Sequence, residues 1–396
     1  MSKRIIVAGV GMIPFKKPGQ SESYDRMGAA AVREALVDAG LDYSQVQSAY
    51  ASYVYGDSCA GQAALYHVGI TGIPVVNVNN NCASGSTAFA LASQAIKYGM
   101  VDCALAVGFE QMQPGAIDMV FPDRPSPIAR HNKAAADLVG LTEEARKLPP
   151  AVQLFGCQVD LTKDLYGIDD ALLAEITIKA RRHAAHNPYA IFRNPLTTED
   201  ILSGEPVFRG LRKLFACPPS CGAAAVIVCT ESFAKEHGLD YKVQVIGQGF
   251  CSDKQEHFES DPLDIMFRAL SRDAANQAYE EACVGPEDID VIELHDCFTS
   301  NEVLTYSALG LCDDGDMEKF IREGQNTYGG KVVCCPSGGL LAKGHPLGAT
   351  GLSQITELVW HLRGTAGDRQ VAGARTALQH NGGLGSAGFV NIFQKT

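Results

Sequence analysis

The chain has 396 residues, enough for two or three domains of ordinary size. Hydrophobic residues make up 46% and charged residues 20%, a composition that excludes disordered, collagen-like and low-complexity proteins. The net charge of −12, without a basic stripe among aromatic residues, argues against nucleic acid as a partner, and the longest uncharged apolar run, Cys221 to Cys229, is too short for membrane insertion.

Cysteine usage and the chain termini indicate the compartment. Thirteen cysteines, an odd number without Cys-x-x-Cys pairs of zinc-site spacing, indicate reduced thiols inside a cell. We see no secretory signal at the N-terminus, and Gln394–Thr396 is not a peroxisomal address. The cytoplasm is therefore the default expectation, and mitochondria are the alternative.

The two ends of the chain are similar to each other. Val7–Gly11 and Val245–Gly249, which are 238 residues apart, each predict a buried strand that ends in a glycine turn. Residues 35–49 and 278–292, at an offset of 243, each predict a helix, a short acidic loop and a strand. The preserved order of elements predicts a duplicated α/β fold.

The repeat also predicts the domain organisation. The predicted parts are a first half of residues 1–111 with a return segment at 217–240, an insertion at 112–216, and a second half at 241–396. The insertion combines proline-rich turns with a charged helix, Asp169–Asn187, which carries the basic cluster from Lys179 to His183. Such a cluster fits either a solvated helix face or a site for a phosphorylated cofactor.

A candidate nucleophile follows the predicted strand Val75–Val78. Three asparagines form a turn, and Cys82 then opens an alanine-rich helix. A cysteine at the first turn of a helix lies at the positive end of the helix dipole, near free backbone N–H groups, and both effects favour its thiolate. Small neighbours leave room for a substrate and for N–H groups that stabilise an oxyanion. The alternative is a buried, inert thiol.

Three further strand ends in the second half have residues that could take part in catalysis or binding. His295, Asp296 and Cys297 end one predicted strand, and the alternative there is a capped strand end with Asp296 as the cap. Residues 338–351 surround His345 with glycines, which allow a backbone to approach a ligand closely. His345 occupies the position in the repeat that Cys82 has in the first half, so a pseudo-two-fold axis would bring the pair together. With the glycine-rich end at Leu378–Gly385, these segments predict a site.

Residues 79–86, 295–298 and 344–351 resemble thiolases, in particular the sterol-carrier-protein type, and the similarity runs from Ile5 to the C-terminus. The resemblance implies a duplicated five-layer α/β/α/β/α fold with an inserted loop domain that binds coenzyme A, assembled as a homodimer. It implies CoA-dependent cleavage of a 3-oxoacyl-CoA in lipid metabolism, or the reverse condensation. CoA and acyl-CoA are then substrates, and we expect neither a permanently bound cofactor nor a metal.

The resemblance assigns roles residue by residue. Cys82 takes the acyl group and His345 activates it. Cys297 protonates the departing enolate and then deprotonates the incoming CoA thiol. His295 and His345 polarise the thioester oxygen, and the backbone N–H groups of Cys82 and Gly382 form a second oxyanion hole. We expect the CoA contacts from a basic and polar set: Arg181, Arg182, Arg212, Lys213 and Ser220.

Some departures from the family leave alternatives open. Cys221 and Cys335 stand where the family usually has an aspartate and an asparagine, so turnover could be slow or the substrate unusual. A catalytically silent acyl-CoA-binding protein is one alternative. A condensing enzyme of the ketoacyl-synthase kind needs no second cysteine, so Cys297 argues against it, and Cys82 argues against an aldolase-like protein. We expect no lipid-transfer domain after the last strand; acyl chain length, branching and physiological direction stay open.

Overall fold

The computed structural model describes residues 3–115 and 120–396, so residues 1–2 and 116–119 of the predicted first half and insertion lie outside the described residues. The strands are β1 Ile5–Met12, β2 Ser48–Ser52, β3 Val75–Val78, β4 Cys103–Gln111, β5 Cys221–Thr230, β6 Val243–Cys251, β7 Val291–Glu293, β8 Val333–Cys334, β9 Thr376–Gly383 and β10 Ala387–Lys395. The helices are α1 Tyr24–Ala39, α2 Ala60–Leu65, α3 Ser84–Lys97, α4 Ala129–Leu138, α5 Pro150–Tyr166, α6 Asp170–Ala184, α7 Thr198–Leu202, α8 Glu231–Glu236, α9 Ala269–Ala282, α10 Thr299–Ala308, α11 Met317–Arg322, α12 Gly339–Ala342 and α13 Thr350–Arg363.

The strand order reveals the duplication. The sheet runs β3-β2-β4-β5-β1-β6-β10-β9-β7-β8, so five strands of one half are followed by five of the other in mirrored order. β1 and β6 join the halves through a short antiparallel pairing, in which Ile5 opposes Val245 and Ile6 opposes Gln244. The duplicated α/β fold predicted from the repeat is confirmed.

The apolar cores define five layers. α3 and α13 form the middle layer, where Phe89 and Leu352 pack in one core with Val226 of β5 and Ala377 of β9. α1 and α2 cover the outer face of the first five strands. α9 covers β6 and β10 on the opposite outer face, and α10 joins that core through Leu304. The middle layer therefore brings corresponding helices of the two halves into contact.

The insertion packs onto the outer face of the second half. It is more helical than the proline-rich sequence predicts, because α4, α5, α6 and α7 all lie within it. The predicted charged helix is α6, which is shorter than expected; its N-cap Asp169 accepts the backbone N–H of Leu172 at 2.7 Å. Among the described residues, the helices are too short or too polar to cross a lipid bilayer.

Candidate active site

Cys82 lies on a tight corner between β3 and α3. Asn81 adopts a left-handed backbone conformation, with φ of 51°, which asparagine tolerates better than most residues. The Ser84 hydroxyl donates to the Asn81 carbonyl at 2.6 Å and accepts the Asn80 backbone N–H at 2.9 Å. α3 begins at Ser84, so Cys82 precedes the helix instead of lying in its first turn. The prediction from the sequence, which put Cys82 in the first turn of the helix, is therefore slightly wrong.

The environment of Cys82 favours the neutral thiol. Burial raises its pKa to about 12, and the backbone N–H groups of Leu384 and of Cys82 itself reduce this rise. The expected preference for thiolate is therefore outweighed by desolvation. Leu384 follows β9 in the glycine-rich loop, and sequence reasoning did not single out its N–H as a donor beside the thiol.

His345 faces the site as a proton acceptor. Its Nδ1 lies 2.7 Å from the Thr350 hydroxyl, whose own proton goes to the Pro346 carbonyl at 3.0 Å. Nδ1 must therefore carry the proton, and Nε2, which has no hydrogen-bond partner among the described residues, carries the lone pair. Burial lowers the pKa of His345 to about 3, so the ring is neutral at physiological pH.

Three of the predicted catalytic side chains meet. The Cys82 sulfur and one ring nitrogen each of His295 and His345 lie within 4.8 Å of one another, and all three residues are buried. The two imidazoles meet edge to face, with ring centroids 5.3 Å apart. Burial, together with His345, lowers the pKa of His295 well below its ordinary value. These donor types also bind zinc, and the absence of a resident metal stays a prediction.

Glycines allow this meeting of the two halves. A Cβ on Gly108 would lie 2.1 Å from the carbonyl oxygen of Gly348 in the His345 loop, and a Cβ on Gly351 would lie 2.3 Å from the Ser86 hydroxyl. Neither contact is possible for any other residue without displacement. Glycine at these positions lets the start of α13 approach the start of α3.

Glu110 holds the His345 loop, although no sequence signal pointed to it. Its buried carboxylate accepts backbone N–H groups from Val54 at 3.0 Å, Tyr55 at 3.1 Å and Gly348 at 3.0 Å. Burial raises the pKa of Glu110 to about 7, against the lowering effect of these hydrogen bonds. The carboxylate thus ties the second half of the site to β4 of the first.

Cys297 lies after β7 and lines the same cavity as the triad of Cys82, His295 and His345. Burial raises the pKa of its thiol well above the ordinary value, so it is protonated and able to donate. The Cys297 carbonyl accepts the backbone N–H of Cys217 at 2.9 Å, which places a third cysteine, missed by sequence reasoning, in the cavity wall.

Asp296 has a structural position, as the alternative interpretation of this strand end proposed. Its carboxylate accepts the N–H groups of Leu340 at 2.8 Å and Leu341 at 3.4 Å, so it caps the start of α12. A Cβ on Gly339 would lie 2.0 Å from this carboxylate. Asp296 therefore orders the backbone before His345.

The cavity has a volume of about 420 Å³ and a mostly apolar wall. The triad and Cys297 line it together with residues of the insertion and of the loop after β9. The apolar side chains of the wall that could contact an acyl chain are Met112, Ala151, Phe155, Phe267, Phe298 and Leu384. The shape and chemistry fit a ligand with a long apolar portion.

The residues expected to contact CoA divide into two groups. Arg181 and Lys213 line the cavity, and no carboxylate among the described residues pairs with either. The Arg181 guanidinium is buried and stacks on Phe192, 4.3 Å from the ring centroid. A buried cation without a partner favours an anionic ligand. These two side chains are available for phosphate.

The other three have partners within the protein. Arg212 lines the cavity but forms an ion pair with Asp170 at 3.1 Å. Arg182 lies in a separate pocket, where it donates to Thr327 at 3.2 Å. The buried Ser220 hydroxyl donates to the Pro218 carbonyl at 2.8 Å and accepts the backbone N–H of His345 at 2.9 Å. Their direct contact with CoA stays a prediction, and the geometry assigns Ser220 to positioning His345.

We expect alkylation of Cys82 by iodoacetamide to accelerate between about pH 6 and about pH 10 without a plateau, because only the thiolate reacts and burial raises the pKa to about 12. Below that pKa the thiolate fraction rises about tenfold per pH unit. Mass spectrometry of the Cys82 peptide measures the rate, with the exposed Cys59 as internal reference. A plateau below about pH 8 would instead indicate a thiolate–imidazolium pair with His345.

We expect Gly383→Ala to lower the free energy of unfolding by about 1–3 kcal/mol. Its Cβ would lie 2.2 Å from the Asn80 carbonyl oxygen and 3.2 Å from the Ala83 nitrogen, so the corner that carries Cys82 must shift. Urea denaturation measures the effect. Gly204→Ala, where a Cβ would have no atom of the described residues within 4 Å, is the matched control; equal stability of the two variants would contradict the expected clash at Gly383.

Comparisons with known proteins agree with this geometry. The family model described as thiolase, N-terminal domain, matches residues 5–232, and the model described as thiolase C-terminal domain-like matches residues 252–395. Sterol carrier protein 2 of Oryctolagus cuniculus is 46% identical over 396 residues, which cover 99% of this chain and 72% of the relative. Benzoylsuccinyl-CoA thiolase subunit BbsB of Thauera aromatica is 33% identical, over 97% of this chain and 96% of the relative. A solved structure titled Ltp2-ChsH2(DUF35) aldolase superposes with a TM-score of 0.81 at 22% identity, covering 99% of this chain and 98% of that one, and so shares the fold.

Proposed function

Because the chain belongs to the thiolase family, in its sterol-carrier-protein branch, and is an acyltransferase of that kind in lipid metabolism, we propose that it cleaves 3-oxoacyl-CoA with CoA. The reverse Claisen condensation uses the same groups. The observation that carries the proposal is the meeting of Cys82, His295 and His345 within 4.8 Å, in a cavity that Cys297 also lines.

In the first half-reaction, Cys82 is acylated. His345 takes the thiol proton on Nε2, and the sulfur attacks the 3-oxo carbon of the substrate. We expect the backbone N–H groups of Cys82 and Gly382 to stabilise the resulting oxyanion. The N–H of Leu384 donates to the Cys82 sulfur. The bond between C2 and C3 then breaks, and its electron pair moves onto the thioester as an enolate.

The enolate is then protonated, and CoA cleaves the acyl-enzyme. His295 and the protonated His345 polarise the thioester oxygen, and the Cys297 thiol protonates the enolate carbon. The Cys297 thiolate next deprotonates an incoming CoA thiol, whose sulfur attacks the acyl-cysteine. The bond between the acyl carbon and the Cys82 sulfur breaks, acyl-CoA leaves, and the Cys82 thiolate takes its proton back from His345. The high pKa that burial gives Cys297 keeps it in the protonated state from which this sequence starts.

Arg181 and Lys213 supply the charge that we propose binds the CoA phosphates. We also propose a homodimer in the cytoplasm, with mitochondria as the alternative location. β3 is an edge strand whose Val76 side chain is 44% exposed, so its backbone can pair with a second copy. Light scattering after size-exclusion chromatography measures the oligomeric state, and a monomer at micromolar concentration would contradict the dimer.

A second candidate is an acyl-CoA-binding protein without turnover. The buried, neutral Cys82 thiol is the observation that favours it, because a thiol is a far weaker nucleophile than a thiolate. Calorimetric titration with CoA beside a turnover assay separates the two candidates: binding without turnover supports the second.

The deciding experiment is a single-turnover incubation with acetoacetyl-CoA, and separately with a longer 3-oxoacyl-CoA, in the absence of free CoA. Intact and peptide mass spectrometry then locate any adduct. We expect an acyl group on Cys82 that disappears when CoA is added, and its yield with each substrate indicates chain-length preference. A protein that binds CoA and forms no adduct with either substrate would overturn the proposal.

A further inference from the structure

A chain of buried amides and a hydroxyl leads from the backbone of the second half to His295. It starts at Gln354 on α13, whose side-chain Nε2 lies 2.9 Å from the Leu294 carbonyl and 3.2 Å from the His380 carbonyl. A carbonyl only accepts hydrogen bonds, so this atom is the amide nitrogen and Oε1 is the free acceptor. The backbone thereby fixes which atom donates and which accepts at each step of this hydrogen-bond network.

The orientation of Gln354 in turn determines the donors and acceptors at Gln379 and Ser86. Gln354 Oε1 lies 2.8 Å from the Gln379 side-chain nitrogen, which also lies 3.0 Å from the Ser86 hydroxyl. Because the amide donates to Ser86, the hydroxyl keeps its own proton for Asn381 Oδ1, at 3.0 Å. All four side chains are fully buried, so no bulk water competes for these bonds.

The last link reaches the imidazole. With Oδ1 of Asn381 accepting from Ser86, its Nδ2 is the atom that lies 2.9 Å from His295 Nδ1. We propose that Asn381 is a positioning residue that holds His295 in the tautomer with the proton on Nε2. The inference rests on the proposed function, and it supplies the reason that two adjacent histidines act differently.

The two tautomers are complementary. His345 carries its proton on Nδ1 and presents a lone pair, whereas His295 presents an N–H. One ring can therefore accept the Cys82 proton while the other donates to the thioester oxygen from the start. After the proton transfer both rings are donors, which is the arrangement that stabilises the enolate. Two identical tautomers would provide only one of these functions.

The tautomer can be measured directly in the free protein. Two-bond ¹⁵N–¹H spectra of protein with ¹⁵N-labelled histidine distinguish protonated from unprotonated ring nitrogens, and the His295→Gln variant identifies the His295 signals. We expect neutral His295 with the proton on Nε2. In Asn381→Asp, the carboxylate can only accept, so at alkaline pH the proton is expected on Nδ1. A wild-type Nδ1–H tautomer would overturn the inference.

The same variant acquires a pH dependence. The new carboxylate stabilises the imidazolium, which still has an Nε2–H, so activity is expected to be partly retained at acidic pH. Above the raised pKa of His295 the donor is lost, and kcat is expected to fall by about 10²- to 10³-fold relative to wild type, with little change in KM. The titratable groups that face His295 are His345, His380 and Cys82, and Asn381→Asp leaves them in place. A pH profile parallel to wild type would contradict the inference.

A matched serine pair separates positioning from packing. Ser86→Ala removes the hydroxyl that orients Asn381 and is expected to give a mixture of His295 tautomers and a kcat loss of about tenfold or more. Ser93→Ala removes an equally buried hydroxyl of α3 that has no hydrogen-bond partner in the part of the chain that the structure describes, so neither tautomer nor kcat is expected to change. Equal effects of the two variants would overturn the inference.

The outcomes also separate this inference from the proposed function. If the wild-type protein forms no acyl-enzyme, the proposed function fails, and the spectra still decide the tautomer. If the protein turns over 3-oxoacyl-CoA with His295 protonated on Nδ1, the function stands and the network has no positioning role.

Discussion

Cys82→Ala is expected to abolish acyl-enzyme formation and to lower turnover by about 10⁴-fold or more, as the removal of a covalent nucleophile does in other acyl-transfer enzymes. Cys82 is the thiol that shares a 4.8 Å cluster with both histidines, where one ring accepts a proton and the other donates. Cys217 and Cys297 line the same cavity, but they are not part of that cluster.

Single-turnover mass spectrometry checks this result. The variant should bind CoA as the wild type does, since the alanine removes only a sulfur atom from the cavity wall. Cys59→Ala, which removes an exposed thiol, is the control and should acylate normally. An adduct on Cys217 or Cys297 in the Cys82→Ala variant would show that the nucleophile was assigned to the wrong thiol.

The duplication and the positions of Cys82 and His345 could be predicted because each depends on a local pattern. The sequence predicts a strand, a turn of small residues and a helix in each half. The repeat then aligns the helix start at Cys82 with the one at His345. The structure adds the close contacts of Gly108 and Gly351 that make the meeting possible. Local patterns thus located the site without showing its protonation states.

Charge was harder to interpret from the sequence. The basic residues of the insertion lie close together in the sequence, but Lys179 is buried in an ion pair with Glu302, 123 residues away, and Arg212 pairs with Asp170. For the same reason, the fold favours the neutral thiol of Cys82 over the thiolate that the local sequence predicts. Burial is a property of the whole fold, and here it exceeds the local effect of the helix start.

The two departures from the family pattern have different structural settings. Cys335 adopts a left-handed backbone conformation, with φ of 52°, which strains a cysteine more than the asparagine that the family resemblance implies at this position. Cys221 begins β5, and its thiol lies 3.5 Å from the Met112 carbonyl, beside a residue of the cavity wall. Neither thiol belongs to the triad.

Cys297→Ala is expected to separate the two half-reactions. Acylation of Cys82 should remain detectable, because Cys82, His345 and the oxyanion donors are untouched and water can protonate the enolate slowly. Deacylation requires a base for the CoA thiol in every cycle, and loss of a positioned acid–base group typically lowers the rate by about 10²- to 10⁴-fold. The acyl-enzyme should therefore accumulate in the presence of CoA.

Rapid quenching followed by mass spectrometry measures the acyl-enzyme fraction during turnover. Cys312→Ala, which removes a thiol outside the cavity, is the matched control and should show the low wild-type fraction. Wild-type turnover by the Cys297→Ala variant would exclude the acid–base role, and complete loss of acylation would move Cys297 into the first half-reaction as an obligatory acid. Accumulation instead ties the second cysteine to CoA activation, since Cys297 lies in the same cavity as Cys82 but outside its 4.8 Å cluster.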